Sequence, residues 1–249
     1  MEKITTTKLL AAKSKHQKIT MLTAYDYPFA KILDEAGVDI VLIGDSLGNV
    51  ALGHRNTLPV TMEDMIIHTR AVSKAVMRAM VVADMPFGSF QKSSKEALSN
   101  AIKLMKSGAE AVKIEGAGYP DVIKEIIKAG IPVMGHVGFT PQSVYQLGGY
   151  RVQGKIKSEK IKIINDAKRL EKAGCFAQVL EMVPQDLAKE ITKRLKIPTI
   201  GIGAGKYCDG QVLVTNDLVG LSEWMPSFVS PRADLRKIVI ETVKEWMRL

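Results

Sequence analysis

Four acids and one lysine in this chain stand where short apolar runs end: Asp45 after "IVLIG", Asp84 after "MVVA", Glu115 in "AVKIEG" with Lys113 two residues earlier, and Glu181 in "AQVLEMV". Carboxylates crowded on one low-dielectric rim repel each other and resist ionising unless they share a cation. Asp45, Asp84 and Glu115 come from consecutive runs, so a hard divalent ion is their expected companion. All-oxygen ligands without a Cys or His pair favour magnesium or a relative over zinc, and leave coordination positions for substrate oxygens and water. Period-2 geometry sends Lys113 to the same side of its strand as Glu115. A buried ammonium needs anionic company. Beside metal-bound acids it reads as a clamp for a substrate carboxylate or enolate oxygen. Glu181 belongs to a later run, away from the other three, and that separation suits a proton acceptor.

Each of these residues also has a plainer reading. Asp45 and Ser46 are good N-caps for a following helix. His136, in "GHVGFTP", reads first as a core histidine bonded to a neighbour and only second as a chemical group. His54, in the long "LGHRNTLPVT" loop, carries a weaker signal. "GIGAG" is explained equally by a phosphate cradle and by tight packing at a strand tip. The case for a site rests on three acids at equivalent tips of successive strands.

Eight short runs would have to hold these tips: "KITMLTAYD", "DIVLIGDS", "MVVADMP", "AVKIEG", "PVMGHVG", "AQVLEMV", "PTIGIGAG" and "QVLVTNDLVG". They are continuously apolar instead of alternating, as in parallel strands covered on both faces. Between most of them lie segments with helical spacing, among them "PFAKILDEAG", "MEDMIIHTRAVSKAVM" and "KIINDAKRLEKAG". A repeated phrase runs helix, Ala-Gly or Ser-Gly, strand, with glycine as the helix stop. The pattern predicts a closed (β/α)8 TIM barrel, one domain over residues 1–249 with a short N-terminal helical segment; a doubly wound open sheet is the alternative. In such a barrel all C-terminal tips share one rim. That rim would collect Asp26 or its neighbours, Asp45 and Ser46, Asp84, Glu115, His136, Glu181, Gly203 to Gly205, and Asn216 and Asp217. Two links are irregular: Leu47 to Pro59 is long for a turn, and "GIGAG" to "QVLV" hardly has room for a helix. Long loops on a regular scaffold often belong to the active site.

Composition narrows the class. With 249 residues, 46% of them hydrophobic, the chain can bury a sizeable core. No apolar run approaches the ~18 residues of a membrane span. The first residues lack the apolar core of a signal peptide, so the expectation is a cytoplasmic protein with no membrane partner. Cys175 and Cys208 are too few for a zinc cluster or a disulfide framework. The formal charge of +9 is spread over lysines interleaved with glutamates. The densest stretch, Arg151 to Lys162, has few aromatics, and acids at the rim would repel phosphates. No nucleic-acid partner is therefore expected.

The stretches "TAYDYPFAKI", "GDSLGNV", "TLPVTMEDMIIHTRAV", "GHVGFTPQSV", "GGYRVQGK" and "IPTIGIGAG" with "CDGQVLV" resemble the ketopantoate (3-methyl-2-oxobutanoate) hydroxymethyltransferase family, from about Ile4 to Gly220. The resemblance implies a barrel of the phosphoenolpyruvate/pyruvate type. It also implies Mg2+-dependent transfer of a hydroxymethyl group from 5,10-methylenetetrahydrofolate to the 2-oxo acid, in pantothenate biosynthesis. A homodecamer, a pentamer of dimers, is implied as the assembly. By position, the family's metal ligands fall on Asp45, Asp84 and Glu115, its 2-oxo acid contacts on Asp45, Ser46, Asp84 and Lys113, and its proton acceptor on Glu181. Met182, His54 and the tail "EWMPSFVSPRADL" depart from the usual family residues. Two rivals differ in kind. An isocitrate-lyase-like carbon–carbon lyase would carry a Cys in a "KKCGH"-like loop, which is missing here. The other rival is a non-enzymatic basic binding protein on a barrel scaffold.

Overall fold

The structure, a computed structural model, describes residues 2–248. All eight anticipated strands form: β1 (Ile19–Thr23), β2 (Ile40–Ile43), β3 (Met80–Asp84), β4 (Ala111–Glu115), β5 (Val133–Gly138), β6 (Ala177–Glu181), β7 (Thr199–Ile202) and β8 (Gly210–Leu213). Every neighbouring pair is parallel, and β8 pairs with β1 to close the barrel in sequence order. The open-sheet alternative is thereby excluded.

Several helices start where a side chain satisfies free backbone N–H groups. After α1 (Thr6–Ser14), α2 (Tyr27–Glu35) is capped by Asp26, which accepts from the Phe29 N–H at 2.9 Å. The four-residue α3 (Leu47–Val50) lies in the long loop after β2, and α4 (Met62–Ser73) opens on a reciprocal capping box between Thr61 and Asp64. Ser93 caps α5 (Ser94–Lys106), and α6 (Pro120–Lys128) begins on a proline, whose fixed φ suits the first turn. A 3-10 turn, Pro141–Ser143, follows β5 before α7 (Lys157–Ala173) and α8 (Gln185–Arg194). The anticipated glycine stops are real: Gly174 ends α7 at φ +103°, a conformation that strains any residue with a Cβ.

Three boundaries differ from the sequence pattern, each for a local reason. Helical spacing runs on to Met77, yet α4 stops at Ser73, because the N–H groups of Met77, Arg78 and Ala79 are taken by the Asp34 carboxylate. Helix α7 begins at Lys157 instead of Lys162; the Glu159 carboxylate accepts the N–H groups of Gly154 and Lys155 and organises the turn before it. The run "QVLVTNDLVG" leaves the sheet at Leu213 and turns into α9 (Thr215–Leu218), after which comes α10 (Leu235–Trp246), neither anticipated; as the short link implied, no helix separates β7 from β8. Helix α10 is exposed on every side, including Ile238, Val239, Val243 and Trp246.

Two cores result. One fills the space between strands and helices and includes Val41, Ile43, Val81, Ala83, Val112 and Ile114. The other fills the barrel interior with Leu42, Val82, Ala111, Met134, Ala177 and Val179. Alternation along each strand assigns residues to one or the other. Asp84 therefore follows Val82 inward, Lys113 and Glu115 follow Ala111, His136 follows Met134, and Glu181 follows Val179. At the opposite end, Leu9 of α1 joins the interior core, and Lys13 is bonded to Asp209 at 2.7 Å. That closure leaves the C-terminal rim as the open end. Among the described residues, no helix is long and apolar enough to cross a membrane.

Candidate active site

A cavity of about 740 Å³ occupies the C-terminal mouth of the barrel, and Asp45, Ser46, Asp84, Lys113, Glu115 and Glu181 all line it. Strand register does the assembling. Lys113 lies beside Asp84 across β3 and β4, and His136 beside Glu115 across β4 and β5. The Lys113 ammonium sits 3.0 Å from Asp84 Oδ1, 3.6 Å from Glu115 Oε1 and 3.3 Å from His136 Nδ1. Its approach to Asp84 Oδ1 is an ion pair without hydrogen-bond alignment, so that buried oxygen keeps an open acceptor direction. The other Asp84 oxygen accepts the Asp45 N–H at 3.0 Å.

Gln142, in the 3-10 turn, binds the acids from above. Its side-chain amide donates to Asp45 Oδ2 at 2.9 Å and to the Met85 carbonyl at 3.0 Å, while its backbone N–H donates to Glu115 Oε2 at 3.0 Å. Nothing in the local sequence marks it: it carries no charge and sits in a loop. Only its place in the motif "GHVGFTPQSV" hinted at a role.

Ser46 occupies the N-cap position of α3 but makes no capping bond with its side chain. Its Oγ instead pairs with the Tyr25 hydroxyl at 2.8 Å. Tyr25 was hidden behind its neighbour Asp26, which is exposed and serves α2 as a cap. In "GIGAG", Gly203 and Gly205 lie at φ +58° and +74° and leave no room for a side chain. A Cβ on Gly203 would lie 2.9 Å from the Phe228 ring, and one on Gly205 would lie 2.4 Å from Gln185. The stretch 221–229, with Trp224 and Phe228, roofs the cavity, and Trp224 meets Tyr150 edge-on at 6.5 Å. His54 also lines the cavity.

The buried charges do not balance. Fully ionised, Asp45, Asp84 and Glu115 would carry three negative charges against the positive charges of Lys113 and a doubly protonated His136. Burial, then the charges of Glu115 and Asp84, raises the Asp45 carboxyl well above the usual range. Burial also raises Asp84 against the opposing pull of Lys113. For Glu115, the effect of burial is outweighed by Lys113 and by bonds from His136 and Gln142, and the result is a lowered value. Burial would strip the Lys113 proton, but Asp84, Glu115 and Asp45 hold it on more firmly than in water. At His136, burial and Lys113 favour the neutral ring, yet Glu115 and Glu181 outweigh them and raise it to about 9.

A bound cation would relieve that excess. Among the described residues, no three His, Cys, Asp or Glu side chains close on one point as a ready-made metal cage. Glu115 is turned toward Lys113, His136 and the Gln142 N–H. What remains is an all-oxygen set, buried and net negative, with an open acceptor direction at Asp84. That set fits a hard ion such as magnesium, which takes one or two carboxylates and keeps water and substrate oxygens in its shell. Glu181 stands across the cavity, its Oε2 3.3 Å from His136 Nε2.

Residues 3–249 match the profile of a family described as ketopantoate hydroxymethyltransferase. The chain is 55% identical over 250 residues to the 3-methyl-2-oxobutanoate hydroxymethyltransferase of Thermoanaerobacter sp. strain X514, covering 99% of this chain and 91% of that one. It is 54% identical to the enzyme of that name from Pyrococcus furiosus, covering 100% and 88%. Among solved structures it resembles a phosphonopyruvate hydrolase in complex with oxalate and Mg++ (TM-score 0.66, 13% identity, 98% of this chain and 85% of that chain). It also resembles a 2,3-dimethylmalate lyase of the PEP mutase/isocitrate lyase superfamily (TM-score 0.63, 14% identity, 98% and 86%). At such identities the structural likeness speaks for the fold alone, a TIM barrel.

Proposed function

The chain belongs to the ketopantoate hydroxymethyltransferase family, and from that premise we propose that it transfers a hydroxymethyl group from 5,10-methylenetetrahydrofolate to 3-methyl-2-oxobutanoate, giving 2-dehydropantoate and tetrahydrofolate. The observation that carries this reading is the family match over nearly the whole chain, with a lysine among buried acids facing Glu181 across one cavity.

Asp45 and Asp84, joined by Glu115 once its carboxylate turns from Lys113 and His136, would hold Mg2+, which would supply Lewis-acid polarisation of the substrate's carboxylate and keto oxygens. Ser46, oriented by Tyr25, and the Lys113 ammonium bind the same oxygens. Glu181 removes the proton from C3, the carbon next to the ketone. A carboxylate is a weak base for such a C–H acid, and each pK unit of mismatch costs about 1.36 kcal/mol. Lys113 reduces that cost by standing where negative charge develops on the enolate oxygen. Water adds to the one-carbon unit, and the two folate nitrogens leave it with their electron pairs and are protonated, giving tetrahydrofolate and a carbon at the formaldehyde level. The enolate carbon attacks that carbon, the new C–C bond forms, and the C=O π pair of the attacked carbon takes the proton held by Glu181 and becomes the new hydroxyl.

In this reading the protein works in the cytoplasm in pantothenate biosynthesis. It assembles as a homodecamer, and the apolar residues left exposed along α10 support an assembly of several copies. The test is direct. The purified protein is mixed with both substrates, with Mg2+ or with a chelator, and 2-dehydropantoate is measured. Formation that the chelator abolishes supports the reading; no product with Mg2+ present refutes it.

A further inference from the structure

His136 is a buried titratable group that the chemistry above does not use. It is 2% exposed and stands between the two halves of the site. The Nδ1 edge of its ring faces Lys113 Nζ at 3.3 Å and Glu115 Oε1 at 3.5 Å. The Nε2 edge faces Glu181 Oε2 at 3.3 Å. Among the described residues, the Glu181 carboxylate has no other side chain within ion-pair or hydrogen-bonding reach. Nε2 itself lacks an aligned partner, so the contact is one that a small rotation of either side chain would tighten. The polarity of the bridge follows from its ends. If the ring is neutral and Nδ1 accepts from the ammonium, its one hydrogen is on Nε2; if the ring is doubly protonated, Nε2 carries a hydrogen as well. In both states an N–H points at Glu181; the third, a neutral ring with its hydrogen on Nδ1 toward Glu115, would set two acceptors, Nε2 and the Glu181 carboxylate, against each other and is disfavoured.

The backbone on both sides of this contact is locked. Phe139 N–H donates to the Glu181 carbonyl at 2.8 Å, and β5 and β6 pair through Gly138 and Glu181. The Glu181 side chain, at 16% exposure, is the freer partner. With three rotatable bonds and an open cavity before it, the carboxylate needs a fixed donor to hold one orientation.

We propose that His136 is the positioning residue for Glu181: its Nε2–H holds the carboxylate toward the substrate carbon, while its Nδ1 side is anchored on Lys113 and Glu115. The proton acceptor and the enolate-stabilising ammonium are thereby set at a fixed spacing by one rigid ring. The proposal rests on the reading of Glu181 as the proton acceptor.

The experiment follows hydrogen–deuterium exchange at C3 of 3-methyl-2-oxobutanoate in D2O with Mg2+ and no folate. The wild type is compared with His136→Asn and His136→Gln, each checked for its melting temperature. A Gln amide reaches the place of Nε2, whereas an Asn amide reaches only that of Nδ1. The expected result is exchange slowed about 10–100-fold in the Asn variant at little-changed KM for the oxo acid, with most of the rate restored in the Gln variant. Equal rates in the two variants, or a change in KM alone, would overturn the proposal. A wild type that does not exchange sinks the role of Glu181 itself, and that outcome is distinguishable from the other two. Should the variants fail to fold, ring 15N signals give a second readout: Glu181→Gln must shift Nε2 of His136 and spare Nδ1. An unmoved Nε2 overturns the proposal.

Discussion

The side-chain amide of Gln142 donates to Asp45 Oδ2 at 2.9 Å and joins residues 97 positions apart. Together with its backbone bond to Glu115, this makes one uncharged residue the link between two acids that would otherwise repel each other. Gln142→Leu removes the side-chain donor but keeps the backbone one. The expected outcome is a rise of about 10–100-fold in the Mg2+ concentration needed for half-maximal activity. An unchanged Mg2+ titration curve would show that Asp45 needs no such support.

Lys113 is held among Asp84, Glu115 and Asp45. Lys113→Met leaves buried carboxylates uncompensated, which costs about 3–5 kcal/mol. Turnover should fall by about 10²–10³, the usual effect of losing one donor at a developing oxyanion. Urea unfolding and steady-state rates check both parts. Full stability together with lost turnover would confine the ammonium to chemistry.

Glu181→Gln keeps the size of the side chain and removes its basicity. It should retain Mg2+ and 2-oxo acid binding, measured by calorimetry, while deuterium exchange at the substrate's C3 disappears. Retained exchange would take Glu181 out of the proton-acceptor role.

Gly138 lies at φ +98°, and a Cβ there would be 2.2 Å from the Glu181 carbonyl oxygen and 2.8 Å from Val183 Cγ1. Gly37, at φ +84°, has nothing within 4 Å of the same position. Gly37→Ala should therefore cost only the backbone penalty, roughly 1–2 kcal/mol. Gly138→Ala should cost more and also slow turnover, because the strand carrying Glu181 has to move. Equal melting temperatures for the two variants would contradict this account.

Asp34 supplies the pH-dependent prediction. Burial pushes its carboxyl up, but the N–H groups of Ala79, Met77 and Arg78 outweigh that and lower it below the ordinary value. A lowered folded value means that the stabilisation is complete above the unfolded pKa of about 3.9 and is lost as pH falls through the folded one. Asp34→Asn should cost about 2–3 kcal/mol at neutral pH. The gap between the two proteins should then close below about pH 4 in urea melts. A gap independent of pH would mean that the negative charge contributes nothing.

Much of this molecule could be read locally. Each strand is a short apolar run closed by its own tip residue, and most anticipated helices carry a local start or stop, the Asp26, Thr61 and Ser93 caps or the glycines after α2, α5, α6 and α7, so eight strands and their order were legible without coordinates. Alternation along β4 likewise put Lys113 and Glu115 on one face from spacing alone. Long-range geometry had to supply the rest. Which side chains touch depends on the register between strands, and register is set by packing both faces of the sheet and by closing the barrel, neither of which is written in any single segment. That is why Lys113 was legible as a partner of acids but its contact with His136 was not. It is also why Gln142, uncharged and in a loop, gave no sign of holding Asp45 and Glu115. Ser46 turned to Tyr25 instead of capping α3, and the stretch 221–229 folded over the rim, through contacts between distant segments that no local pattern encodes.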